Sequence, residues 1–130
     1  MNSLNTKLQP QQFIRAYLPP ILWALIIFIF SSQTTLPGIS ESFYDFIFKK
    51  LAHIFVYLVL YLLVFRAVKM TTKKNSKNTI LFLPILICLV YAISDEFHQS
   101  FVPGRYSTLR DIGYDMIGIT IAFLKKFGYI

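Results

Sequence analysis

Asp95, Glu96, His98 and Gln99 fall within five positions in the stretch SDEFHQSFVPGR, residues 94–105. Carboxylates beside an imidazole can ligate a divalent metal or move a proton on and off a substrate. Arg105 adds a planar fork suited to phosphate or carboxylate. Two more acids follow, Asp111 and Asp115, at the i, i+4 spacing that lines one face of a helix. Upstream, Lys50, His53 and Tyr57 repeat at i, i+3, i+7, again a single helix face. Ser31, Ser32 and Gln33 close an earlier apolar run with neutral hydrogen-bonding groups. The chain holds six acidic residues, and four of them, Asp95, Glu96, Asp111 and Asp115, belong to these stretches.

The elements that must carry these groups are apolar helices. The chain has 130 residues, 55 % of them hydrophobic and 15 % charged, with thirteen Phe and eight Tyr. Soluble domains average about 25 % charged residues. A chain of this length has too little interior to hide so much apolar surface from water. An integral membrane protein is therefore expected. The fold class is all-α, a bundle of four transmembrane helices. The expected spans are residues 18–36, 51–68, 79–97 and 109–126. Together they make one membrane domain over 18–126, preceded by a tail over 1–17 and followed by a short end over 127–130. Pro19 and Pro20 suit the opening of the first span. The fourth is the shortest: its apolar part, Ile112–Leu124, covers only about 20 Å and must borrow flanking residues to cross. Lys7 and Arg15 ahead of an apolar run also resemble a signal peptide. No small-x-small cleavage site follows in SSQTTLPGIS, so the segment is expected to stay as a first span.

Net charge is +7. The basic residues cluster between apolar runs, which reads as membrane topology rather than affinity for nucleic acid. Lys7 and Arg15 precede the first span. Arg66, Lys69, Lys73, Lys74 and Lys77 lie between the second and third, with no acid among them, and Lys125 and Lys126 follow the fourth. In the first connection Glu41 and Asp45 offset Lys49 and Lys50; the third mixes acids with Arg105 and Arg110. Both termini are thus expected in the cytoplasm, with the chemistry-bearing stretches gathered at the outer face. Cys88 is the one cysteine and lies mid-run, a small apolar filler.

Ionisable groups in hydrocarbon are costly unless paired or hydrated, so their convergence points to one shared polar pocket. Each element also has a plainer reading. His53 can bond a backbone carbonyl in a packed bundle. Asp95 and Arg105 can form a structural ion pair. Pro103–Gly104 reads as a turn, and Gly118 and Ala122 as small residues that let a neighbouring helix approach.

FIFSSQ, KKLAHIFVYLVLYLL and YAISDEFHQSFVPGRYSTLRDIGYDMIGITIA carry a further signal. Together they cover most of residues 27–123, and the chain resembles the VanZ-like family of small bacterial membrane proteins. Where that family usually has Asp-Lys before the histidine of the second span, this chain has Lys49 and Lys50. Where the family often has Asn four residues after the acid of the fourth span, this chain has Asp115. The resemblance implies a multi-pass protein of the bacterial cell membrane acting at the cell surface, in a family linked to resistance to the glycopeptide teicoplanin. It implies no particular reaction.

Three functions compete. A pocket of Ser32, Gln33, Lys50, His53, Tyr57, Asp95, Glu96, Gln99, Arg105, Asp111 and Asp115 can bind an anionic membrane lipid or lipid-linked cell-wall precursor, with no cofactor. Alternatively, an enzyme can act on a lipid phosphate or peptidoglycan precursor. His53, Glu96 and His98 would then do acid–base work, or Asp95, Glu96, His98 and His53 would hold a metal, although DEFHQ lacks the paired histidines of known zinc motifs. A transporter or flippase subunit is the third reading, without a visible internal repeat to support it.

Overall fold

A computed structural model describes residues 9–33, 42–73 and 76–130. Residues 34–36 of the first expected span, with Lys7, Glu41 and Lys74, lie outside the described residues. Four helices make up the structure: α1 Pro10–Ser31, α2 Phe43–Thr71, α3 Lys77–Gln99 and α4 Leu109–Lys126. Among the described residues there is no strand.

α1 begins at Pro10, whose missing N–H is no loss in the first turn of a helix. Pro19 and Pro20 lie inside the helix, not at its start. α2 opens on a reciprocal cap: the Asp45 N–H donates to Ser42 Oγ at 3.2 Å, and the Ser42 N–H donates to Asp45 Oδ2 at 3.3 Å. At 29 residues, α2 is about 43 Å long and exceeds the hydrocarbon layer. α1, α2 and α3 are long and apolar enough to cross a membrane. α4 has 18 residues, about 27 Å, and its acids and terminal lysines make it less apolar.

The outward surface is that of a membrane protein. Phe30, Phe82 and Phe97 are 68 %, 62 % and 68 % exposed, within a surface of many exposed Leu, Ile and Phe side chains. A soluble monomer rarely shows such continuous apolar area. α2 is the hub and packs against each of the other three helices. The core comprises Tyr57, Leu60, Tyr61, Val64, Phe65 and Val68 of α2, Cys88 and Ala92 of α3, Ile119 and Ala122 of α4, and Ile27 of α1. Polar side chains pin the apolar helices together. Trp23 Nε1 donates to the Val56 carbonyl at 2.9 Å, and Tyr91 OH to the Ala24 carbonyl at 2.6 Å. α2 and α4 approach closely at Gly118, where a Cβ would overlap the Ile54 carbonyl. That backbone approach brings the polar faces of the two helices within side-chain reach of each other.

Candidate functional site

The stripe on α2 meets the stripe on α4 one turn at a time. Lys50 Nζ pairs with Asp111 Oδ1 and sits over the Phe46 and Tyr114 rings, 5.2 and 5.3 Å from their centroids. A turn deeper, His53 Nδ1 lies 2.8 Å from Asp115 Oδ1. Both contacts follow from the matched spacings, three residues on α2 and four on α4, across a close helix pair. α3 supplies the third wall. Tyr57 OH donates to Asp95 Oδ2 at 3.5 Å, the long limit of a hydrogen bond, and Gln99 Nε2 donates to the same oxygen at 3.3 Å. Glu96 Oε2 accepts from Ser107 Oγ at 3.0 Å.

All four carboxylates are buried: Asp95, Glu96, Asp111 and Asp115 are between 0 % and 6 % exposed. Three of their oxygens, Asp95 Oδ1, Glu96 Oε1 and Asp115 Oδ2, have no hydrogen-bond partner among the described residues. Native proteins satisfy nearly all such groups. His53, Glu96 and Asp115 each bring one metal-ligating atom into a group whose members all lie within 4.8 Å of one another.

The structure brings Lys50, His53, Tyr57, Asp95, Glu96, Gln99, Asp111 and Asp115 into this linked set. Other sequence candidates sit apart from it. Ser32 Oγ donates to the Phe28 carbonyl at 2.7 Å and Gln33 Nε2 to the Ile29 carbonyl at 3.2 Å, both back onto the last turn of α1. His98 stacks on Phe28 with ring centroids 4.5 Å apart, and its buried Nδ1 has no partner among the described residues. It is not part of the three-residue group, and neither is Asp95. Among the described residues Arg105 meets no acid. Its Nε donates to the Gln33 carbonyl at 3.1 Å and its Nη2 to the Phe30 carbonyl at 3.0 Å, at the C-terminal end of α1 where carbonyls lack helical donors.

Sequence reasoning passed over Ser107, Thr108 and Tyr114. Thr108 Oγ1 donates to Asp111 Oδ2 at 3.0 Å and so holds the acid that pairs with Lys50. The Thr-x-x-Asp pattern at the start of α4 is the signal that points to this contact. Ser31 is also buried, and its hydroxyl has no partner among the described residues. At the far end of α2 and α4 lies an open groove of about 620 Å³, lined by Leu62, Phe65, Arg66, Lys69 and Lys126. It shares no residue with the carboxylate cluster.

The family model described as VanZ/LLP1 matches residues 1–125. No curated protein and no solved structure matches the chain.

Proposed function

The chain belongs to the VanZ/LLP1 family, and from that premise we propose that it is a multi-pass protein of the bacterial cell membrane whose buried polar cluster binds an anionic, lipid-linked envelope molecule. In this reading residues 18–126 form one domain of four membrane-crossing helices, with both termini in the cytoplasm and the cluster toward the outer face. The lysine-rich segment around residues 66–77 supports that orientation. Occupying or sequestering such a molecule would limit access of glycopeptides such as teicoplanin to the envelope.

The observation that carries the reading is the set of unpartnered carboxylate oxygens in an apolar helix assembly. Groups retained only for packing would be neutral or fully paired, because unpaired charge in hydrocarbon is expensive. A sugar linked through phosphate to a lipid offers what the cluster lacks. Its hydroxyls and amides can donate to Asp95, Glu96 and Asp115, while its phosphate meets Lys50 and the exposed Arg110 at the rim. Tyr57 and Gln99 add neutral bonds. The lipid tail would lie against the exposed apolar faces of the helices.

Native mass spectrometry of the protein in nanodiscs doped with an undecaprenyl-diphosphate sugar tests this. Wild type should retain the lipid, and Lys50→Ala and Asp115→Asn should each retain about tenfold less, the scale of a lost charge-assisted contact. Equal retention by all three would contradict the proposal.

The His53–Asp115 pair favours a second reading, in which the cluster hydrolyses a lipid phosphate. An imidazole oriented by a carboxylate, with Glu96 adjacent, is the arrangement of a general base. Phosphate release from undecaprenyl diphosphate, lost in His53→Ala, would distinguish the hydrolase from the binder.

A further inference from the structure

We propose that His53, Glu96 and Asp115 form a binding site for one divalent transition-metal ion at the junction of α2, α3 and α4. Each helix contributes one ligand, and the three ligating atoms all lie within 4.8 Å of one another. A tetrahedral metal with ligands at about 2.0–2.2 Å holds them about 3.3–3.6 Å apart. A pair at the 4.8 Å limit therefore closes by about 1.2–1.5 Å, a distance shared between two side chains that rotate about their χ angles.

Two independent observations point to a cation there. First, three buried carboxylates share one basic partner among the described residues. Lys50 is taken by Asp111, and Arg105 is taken by the carbonyls of α1. Among the described residues, the basic side chain paired with any of Asp95, Glu96 and Asp115 is the His53 imidazole alone. Second, Glu96 and Asp115 are 3 % and 0 % exposed, and each keeps one oxygen, Oε1 and Oδ2, with no partner among the described residues. A buried carboxylate with an unused oxygen beside an imidazole is the residue set that metal coordination uses.

The surroundings already orient the ligands. Ser107 Oγ holds Glu96 through Oε2, leaving Oε1 available. Tyr57 and Gln99 hold Asp95 at the edge of the group. Such outer contacts are what fix metal-bound carboxylates. One imidazole with two carboxylates selects ions of the zinc, manganese or iron(II) type over magnesium or calcium, which favour oxygen alone. Three protein ligands leave at least one coordination position for water or an exogenous oxygen.

The inference does not depend on the lipid ligand proposed above. It is tested on the full chain in phosphatidylcholine nanodiscs that contain no polyprenyl lipid. Protein stripped with a chelator and desalted is given zinc, manganese or magnesium separately, desalted again, and assayed for metal content and thermal midpoint. Wild type should take up about one equivalent of zinc or manganese per chain, as a single site requires. Its midpoint should rise with that metal and not with magnesium. Glu96→Gln and Asp115→Asn should each lower retention by about tenfold or more, while Glu96→Asp keeps part of it. Uptake below about a tenth of an equivalent by wild type, with an unmoved midpoint, would overturn the site. Undiminished uptake by folded Glu96→Gln and Asp115→Asn would overturn it as well. If those variants fail to fold, the wild-type uptake and midpoint decide alone.

Discussion

Asp115 of α4 and His53 of α2 are 62 positions apart in the chain and 2.8 Å apart at Oδ1 and Nδ1. Asp115 is fully buried, and His53 is its one hydrogen-bonding partner among the described residues. Removing the imidazole therefore strands a carboxylate in the helix interior. His53→Ala should destabilise the protein by about 3–5 kcal/mol. Asp115→Asn in the same chain should recover part of that loss, because the stranded charge is gone. Fluorescence of Trp23 reads the unfolding directly, since its indole bridges α1 to the Val56 carbonyl of α2.

Two glycines of α4 should respond in opposite directions. At Gly118 a Cβ collides with the Ile54 backbone, which cannot swing aside like a flexible side chain. Gly118→Ala should force α2 and α4 apart and destabilise by about 1–3 kcal/mol, with larger residues worse. At Gly113 a Cβ meets nothing within 4 Å. Gly113→Ala should stabilise by about 0.5–1 kcal/mol, the helix advantage of alanine over glycine. Thermal midpoints of the two variants, measured side by side, check the contrast.

Arg105 should behave as a clamp on α1. Arg105→Ala removes two donors from the Phe30 and Gln33 carbonyls at a partly exposed site. The expected loss is about 1–2 kcal/mol, and Arg105→Lys should fall between alanine and wild type because it keeps charge but not the fork. Asp95→Asn should give no rescue, since Asp95 bonds Tyr57 and Gln99. Restoration of the thermal midpoint by Asp95→Asn would mean that Arg105 pairs with that acid after all.

Much of this arrangement is legible from spacing. Lys50, His53 and Tyr57, and Asp111 and Asp115, announce themselves because a helix returns to the same face every three or four residues. Gly118 and Ala122 on the Asp115 face mark where another helix comes near. Spacing says less about helix ends and loops. Ser32 and Gln33 bond their own last turn, where unsatisfied carbonyls compete for any nearby donor. The target of Arg105 depends on the path of the loop that carries it. Pro19 and Pro20 mislead as a helix start because α1 already begins at Pro10, nine residues before Pro19. Ser107 gains its role only when α3 and α4 are side by side.

Orientation has its own test. Single cysteines at Ser76 and Tyr106, in a Cys88→Ala background, sit in the lysine-rich segment and in the connection from α3 to α4. Tyr106 is 89 % exposed, so a thiol there is accessible. In intact cells an impermeant maleimide should label the Tyr106 position and not the Ser76 position. Labelling at Ser76 instead would reverse the topology and move the polar cluster to the cytoplasmic side.

Glu96→Gln separates a site from a scaffold most directly. The change keeps an oxygen to accept from Ser107 and alters a buried carboxylate whose Oε1 has no partner among the described residues. In chelator-treated protein, free of metal, the thermal midpoint should stay or rise, because binding groups are commonly held at the expense of stability. Retention of the undecaprenyl-diphosphate sugar by the same sample should fall about tenfold. A lowered midpoint with undiminished lipid retention would contradict the account, and would make the carboxylate cluster a packing element of α2, α3 and α4.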